Sequence, residues 1–238
     1  MSGGGGSVRL VATLTVAGLL SGLAIVSAHR LTQPRIRANQ AAALERAVLE
    51  VLPGATRMER RVLRDGRLEP ATGPAGALDE SLFAGFADAD GAPRFVGWAV
   101  PASGAGFQDT IKLIYGLDPA GARVIGMAIL ESRETPGLGD RIYKDPEFVA
   151  EFADLATEPV IELIQGHGEA ANQVDAITGA TISSRAVVRI LNQATAAWRP
   201  RLPDPADVAP HGDDGAAALP RDVERGGPLP GGRAGEGS

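Results

Sequence analysis

The chain contains no cysteine, and this absence rules out several kinds of redox and metal centre. Its 238 residues offer no thiol for a disulfide, an iron–sulfur cluster, a Cys-ligated zinc site or thiol catalysis. Histidine ligands are also scarce, since only His29, His167 and His211 are present. If the protein moves electrons, an organic cofactor must carry them, and a flavin is the natural candidate. The lack of cysteine leaves the redox compartment undecided.

Lysine is also scarce, and acidic residues outnumber basic ones by 29 to 23. Only two lysines occur, Lys112 and Lys144, and the formal net charge is −6 with a pI near 5.2. No basic stripe is evident, which argues against nucleic acid as a partner. The length allows one medium-sized domain with additional segments.

Leu10 to Ala28 is a run of nineteen residues without a charged side chain. As a helix it would be about 28 Å long, close to the roughly 30 Å hydrocarbon core of a bilayer. Val26-Ser27-Ala28 would also suit the cleavage site of a signal peptide. Because the run exceeds the usual apolar region of a signal peptide, we predict a retained transmembrane helix over 10–28, after a short segment 1–9.

The charges flanking this run bear on its orientation. Arg9 precedes it, whereas Arg30, Arg35 and Arg37 follow it closely. Since positive residues next to a span favour the cytoplasmic side, the charge bias places the rest of the chain in the cytoplasm.

Beyond the span, the pattern of apolar residues indicates an α+β domain. Helical spacing predicts helices over 34–53, 145–155 and 183–198. β-rich runs predict strands at 95–100, 110–115, 122–130 and 160–164, with a hairpin turn at 117–121. Strands joined by hairpins between helices are typical of an antiparallel sheet. No Gly-x-Gly-x-x-Gly fingerprint occurs, so a Rossmann site is not expected.

Two stretches carry weaker patterns. Residues 54–93 have few large apolar positions and indicate only short strands and turns. From Pro200 to Ser238 the sequence consists mainly of Pro, Gly, Asp and Ala. Such a composition offers too little apolar burial to offset the entropy of ordering, so we predict a disordered tail over 200–238.

The most informative motif is Asp-Ala-Ile-Thr-Gly-Ala-Thr, from Asp175 to Thr181. It places the Thr181 hydroxyl after a Gly turn, where a helix is predicted to begin and a phosphate would be stabilised. A hydroxyl fixed there could carry a phosphate ester, which is the chemistry of covalently bound FMN. The competing interpretation is a simple strand-to-helix turn, with a positive φ at Gly179 and Thr181 capping the helix.

A second motif, Glu-Thr-Pro-Gly-Leu-Gly, runs from Glu134 to Gly139 after a predicted strand. Thr135-Pro136-Gly137 favours a turn, and the glycines would let the backbone approach a flat ring closely. Taken alone, the segment fits an ordinary Gly-Pro loop better than a flavin site.

Together the two motifs resemble the FMN-binding domain of membrane redox pumps. The chain is similar to the G subunit of the Rnf ion-translocating electron-transport complex, and more distantly to the C subunit of the sodium-pumping NADH:quinone reductase. The likeness runs from about Leu10 to Trp198, with residues 54–93 not firmly covered. Ser132-Arg133 stands where a His often precedes the Glu-Thr-Pro-Gly-Leu-Gly motif, and Thr178 replaces the more frequent Ser. Neither departure touches the attachment residue.

The resemblance implies roles for particular residues. Thr181 would carry FMN through a phosphoester, and would be the substrate of a modifying enzyme rather than a nucleophile in turnover. No catalytic residue and no metal ligand is assigned. Other implied roles are the turn that exposes Thr181 (Thr178, Gly179, Ala180), recognition by the flavin transferase (Asp175), phosphate binding (Ser183, Ser184, with Arg185 as a further candidate) and lining of the isoalloxazine ring (Glu134, Thr135, Gly137, Leu138, Gly139).

The resemblance also implies a place in the cell. It predicts a single-pass protein of the bacterial inner membrane, with the FMN domain over 29–199, and its core at about 94–198, on the periplasmic side. This contradicts the charge bias. The expected partners are other redox subunits, the flavin transferase and the membrane, and electrons would pass through FMN while the complex moves ions. The alternatives are an FMN-binding regulatory or electron-transfer module of another membrane redox system, and a flavin-free structural subunit.

Overall fold

The computed structural model describes residues 4–71, 81–89, 92–211 and 217–218. A single helix, α1 (Gly4–Val51), is 48 residues long and contains both the predicted span and most of the helix predicted over 34–53. Within the described residues it is the one helix long and apolar enough to cross a membrane. Pro34 lies inside α1 rather than at the start of a new helix. It removes one backbone hydrogen bond, and the helix continues through the Ala- and Arg-rich turns that follow.

Antiparallel strands form the main sheet, as the sequence predicts. The strands of the chain are β1 (Arg57–Arg64), β2 (Arg67–Pro70), β3 (Ser81–Ala89), β4 (Ala92–Ala105), β5 (Thr110–Leu117), β6 (Arg123–Glu131), β7 (Leu155–Ala156), β8 (Glu162–Ile164), β9 (Gln173–Asp175) and β10 (Ala217–Ala218). The main sheet follows the order β10-β1-β3-β4-β5-β6-β7, with β2 paired to β1. Strands β1 to β3 fall in the stretch with the weak pattern, so the described part of that stretch belongs to the domain.

The remaining elements lie between β6 and the C-terminal region. They are the short helices α2 (Arg141–Lys144) and α3 (Pro146–Ala150), the parallel pair β8 and β9, and the long helix α4 (Thr181–Trp198). The helix predicted over 145–155 is thus shorter than expected, because turns follow Ala150. The hairpin between β5 and β6 closes through Asp118, which accepts backbone N–H bonds from Ala122 and Arg123.

The two faces of the sheet are covered by different helices. On one face, alternate β5 residues such as Ile111 and Leu113 are buried together with Val187 and Leu191 of α4. On the other face, Ile114 is buried with the end of α1, which contributes Ala47, Val48, Val51 and Leu52. Because successive side chains of β5 point to opposite faces of the sheet, α4 and the end of α1 pack on opposite sides of it.

Glycines let the last turn of α1 rest directly on the sheet. A Cβ atom added to Gly116 of β5 would lie 1.9 Å from the Val51 carbonyl oxygen, and one on Gly126 of β6 would lie 3.0 Å from the Val51 Cα. On β3, a Cβ atom at Gly85 would lie 2.5 Å from a methyl group of Leu52. The domain is thus seated on the end of its own membrane helix.

The chain from Leu202 to His211, here called the strap, is ordered and corrects the tail prediction. Val208 is buried, and Leu202 packs against the main core. Backbone groups of the strap also form hydrogen bonds with two buried charged side chains of β1. Arg61 donates to the Ala209 carbonyl at 2.7 Å, and Glu59 accepts from the His211 N–H at 2.9 Å. These hydrogen bonds order a segment that composition alone marks as unstructured. Residues 212–216 and 219–238 of the predicted tail lie outside the described residues.

We expect Gly116→Ala to destabilise the domain by about 1–3 kcal/mol, because the new methyl group collides with rigid backbone rather than with a side chain. The measurement is thermal unfolding of the purified full chain. Gly18→Ala is the matched control, since a Cβ atom there meets nothing within 4 Å. Equal melting temperatures for the two variants would contradict the close seating of α1.

Ending the chain at Arg201 should lower the free energy of unfolding by about 2–4 kcal/mol, because the buried Val208 and the partners of Glu59 and Arg61 are lost. Ending it at His211 should cost less than about 1 kcal/mol by comparison, since among the described residues only the two-residue strand β10 is lost. Denaturant unfolding of both truncated chains checks this. If the shorter chain is as stable as the longer one, the strap does not contribute to the domain.

Candidate functional site

Thr178 to Thr181 form the turn that leads from β9 into α4, here called the acceptor turn. Gly179 has a φ of +84°, a conformation that side chains rarely allow, and the Ala180 N–H bonds the Ile177 carbonyl at 2.9 Å. Helix α4 begins at Thr181, and its first helical bond joins the Ser184 N–H to the Ala180 carbonyl at 2.9 Å. The acceptor turn therefore leads directly into the first turn of a long helix.

The start of α4 has no side-chain cap. Ala180 occupies the N-cap position and has no group that could bond the helix amides. Across the described part of the chain, no hydrogen bond involves the Thr181 hydroxyl, and the amides of residues 181–183 have no acceptor. Thr181 itself is half-buried. The capping role considered for Thr181 is thus not observed, whereas the positive φ at Gly179 is.

Beside this helix start lies the carboxylate of Glu134, which is buried in the domain. Oε1 accepts the N–H groups of Phe107 and Gln108 at 2.9 and 3.0 Å. Oε2 accepts the Ser183 hydroxyl at 2.7 Å. Gly139 leaves room for this arrangement, because a Cβ atom there would lie 2.7 Å from Oε2. One side chain thereby joins the 106–109 loop, the Gly loop (residues 134–140) and α4.

The hydrogen bonds of Glu134 also determine its charge. Burial favours the neutral acid, but the bonds from the Ser183 hydroxyl and the loop amides outweigh it, so the pKa of Glu134 lies below its usual value. Glu134 is therefore a carboxylate at neutral pH. Both of its oxygens are occupied by protein donors.

The rest of the Gly loop is held in place by polar contacts. Asp140 accepts the Gly137 N–H at 2.8 Å and pairs with Lys144, whose hydrogen bond and charge lower the pKa of Asp140. The Thr135 hydroxyl donates to the Gln108 side-chain oxygen at 2.8 Å. These contacts tie the Gly loop to α2 and to the 106–109 loop.

Three large apolar side chains are exposed on the segments that meet at this site. Their exposed fractions are 64% for Phe107, 53% for Leu138 and 55% for Ile182. Leu138 lies near the turn, since a Cβ atom at Gly179 would be 4.0 Å from one of its methyl groups. Phe107 and Ile182 belong to the two segments joined by Glu134. We call these three residues the apolar rim.

Arg141 connects the Gly loop to the acceptor turn. Its guanidinium donates to the Thr178 carbonyl at 2.7 Å and to the Asp145 carboxylate at 3.0 Å. Reasoning from the sequence assigned no role to this arginine. The signal in the sequence is its position two residues after the Gly motif, in the run Asp140-Arg141-Ile142 that also fits the family resemblance.

The other predicted site residues fall into two groups. Ser183 reaches Glu134, whereas the fully buried Ser184 hydroxyl bonds the Ala180 carbonyl and the Ile177 N–H. Asp175 makes its contacts away from Thr181. Its carboxylate accepts the Gly168 N–H at 3.0 Å and lies 3.2 Å from His167 Nδ1. Arg185 is exposed on α4.

Known proteins resemble this chain in sequence and in fold. The model of the FMN-binding domain family matches residues 106–196. The G subunit of an ion-translocating oxidoreductase complex from Methanosarcina acetivorans is 31% identical over 189 residues, which cover 78% of this chain and 91% of the relative.

Two further similarities are more limited. The G subunit of a proton-translocating ferredoxin:NAD(+) oxidoreductase complex from Clostridium ljungdahlii is 33% identical over 101 residues, 42% of this chain and 52% of that protein. The crystal structure of Shewanella oneidensis NqrC matches with a TM-score of 0.52 at 17% identity, over 68% of this chain and 99% of that chain. The last match shows a shared fold.

Glu134→Gln should cost about 1 kcal/mol of stability at neutral pH, because charge-assisted hydrogen bonds become neutral ones. A carboxylate with a lowered folded pKa stabilises the fold above its unfolded pKa, and this contribution disappears as the pH falls through the folded pKa. The difference between wild type and variant should therefore vanish in acid. Denaturant unfolding at pH 7 and at a series of acid pH values measures it. A difference that persists at all pH values would contradict an ionised Glu134.

Proposed function

The chain belongs to the G subunits of the Rnf family of ion-translocating oxidoreductase complexes, and we propose that it carries FMN esterified to Thr181. It is a membrane-anchored flavoprotein that transfers electrons as one subunit of a multi-subunit translocase. The finer assignments below concern how the flavin is held and on which side of the membrane it works.

The observation that carries this proposal is the Thr181 hydroxyl on the uncapped first turn of α4, which bonds no other group within the described residues. A phosphodiester at that oxygen would be a neighbour of the amides of residues 181–183, which lack acceptors in that same part of the chain. These amides and the positive end of the helix dipole stabilise a phosphate. Ser184 is left out of the phosphate site, since its hydroxyl is buried and bonded within the domain.

The apolar rim supports a seat for the flavin ring next to this phosphate. Phe107, Leu138 and Ile182 expose apolar surface that a flat aromatic ring would cover. Glu134 would support the site without bonding the ring, because its two oxygens already accept protein donors. Its role is to hold Phe107 and α4 at a fixed separation. When bound, FMN supplies one- and two-electron transfer that no side chain of this chain offers.

Attachment of FMN requires an activated donor. Joining free FMN to a hydroxyl would release water, so the donor must hold the FMN phosphoryl group in an anhydride, as a flavin dinucleotide does. The Thr181 oxygen forms the new P–O bond, the anhydride P–O bond breaks, the nucleotide leaves, and the hydroxyl proton passes to a base of the flavin transferase. No electrons are exchanged in this step.

We place the FMN domain on the periplasmic side of the bacterial inner membrane. A covalent bond retains a cofactor where free FMN would be lost and not replaced, and this supports the periplasmic side against the charge bias of Arg30, Arg35 and Arg37. Other subunits of the complex supply the ion path, because the span of this chain contains no ionisable side chain between Leu10 and Ala28.

Intact mass of the full chain, matured with a flavin transferase, tests the ester. Wild type and Thr181→Ser should each gain one FMN less one water, because both keep a hydroxyl at the helix start. Thr181→Ala should gain nothing, and Thr178→Ala should still be modified. A full gain in Thr181→Ala would move the ester to another residue and overturn the assignment.

A further inference from the structure

Arg141 is the residue that ties the acceptor turn to the rest of the site. Among the residues that the structure describes, its bond to the Thr178 carbonyl is the only hydrogen bond to Thr178 or Gly179. The two partners are 37 residues apart in the chain. Both Thr178 and Gly179 are exposed, so packing contributes little to holding them.

The other end of the guanidinium is also fixed. Asp145 accepts from Arg141 at 3.0 Å, and its second oxygen accepts the Glu147 N–H at the start of α3 at 3.2 Å. The carboxylate is therefore held by the backbone and orients the arginine. A planar guanidinium can bridge a carboxylate and a carbonyl at the same time, which the point charge of a lysine cannot do in the same geometry.

We propose that Arg141 is a positioning residue for the esterification of Thr181, a role that rests on the function proposed above. It holds the Thr178 carbonyl, and thereby the Gly179 turn, in the conformation that presents the Thr181 hydroxyl to the flavin transferase. Arg141 contacts neither the hydroxyl nor a phosphate in this role. It lowers the cost of ordering the acceptor turn before the transferase binds it.

The proposal predicts that charge alone does not suffice at this position. Arg141→Ala and Arg141→Lys should both reduce kcat/KM for flavin attachment about tenfold, the range expected for loss of one charge-assisted hydrogen bond. The final mass should still equal that of the matured wild type, apart from the substitution itself, since the acceptor hydroxyl is unchanged. Asp145→Asn should show a smaller reduction, because asparagine can still accept the Glu147 N–H but orients the guanidinium less firmly.

The assay uses the purified full chain with one flavin transferase and a flavin dinucleotide, and follows intact mass over time at several chain concentrations. Arg133→Ala is the matched control. Its side chain is 74% exposed and makes only distant ion pairs, at 3.7 and 3.8 Å. It should react at the wild-type rate. The double variant Arg141→Ala/Asp145→Asn should be no slower than Arg141→Ala, because Asp145 acts through Arg141.

Three outcomes would overturn the proposal. Arg141→Lys at the wild-type rate would show that charge is sufficient, and Arg141→Ala at the wild-type rate would show no role. A slow Arg141→Ala and an equally slow Arg141→Lys whose melting temperatures both fall well below that of wild type would make the effect purely structural. Thr181→Ala in the same assay separates the two proposals. If it is modified, the ester assignment fails; if it is unmodified while every Arg141 variant reacts normally, only the role of Arg141 fails.

Discussion

A buried carboxylate is the interaction on which the site depends. Three protein donors converge on the oxygens of Glu134 and keep it ionised. Without it, the amides of Phe107 and Gln108 and the Ser183 hydroxyl would lose their acceptor. The 106–109 loop, the Gly loop and the start of α4 come from distant parts of the sequence, and no other side chain in the described ranges joins all three.

The sheet separates this site from the membrane helix. Alternate residues of β5 pack on α4 or on the end of α1, so the strands lie between the anchor and the site. Glycine at the α1 contact brings helix backbone and sheet backbone together, with little side-chain freedom between them. The strap adds a second fastening through the buried Glu59 and Arg61. Both faces of the main sheet are thus covered, one by α4 and the other by the end of α1.

Local chemistry made part of this structure predictable. The helix start at Thr181, the turn at Gly179 and the hairpin at Asp118 follow from residues that are neighbours in sequence. The position of strand β3 within the stretch of predicted short strands and turns was not predictable, because its small residues, such as Gly85, suit contact with α1 rather than strand propensity. The order of the strap was not predicted either. It depends on hydrogen bonds to charged residues of β1, which composition does not reveal. Arg141 lacked a role until the fold brought Thr178 next to it.

The part of α1 that follows the apolar run determines how far the domain lies from the membrane. About fifteen residues of helix, from His29 to Ala43, separate the end of the apolar run from the first residue that packs against the domain, Leu44. At helical rise this rod is roughly 22 Å long. The helix passes through Pro34 without a break, so the length of this stretch determines how far the domain lies from the bilayer. Any subunit that exchanges electrons with the flavin must contact the domain at that distance.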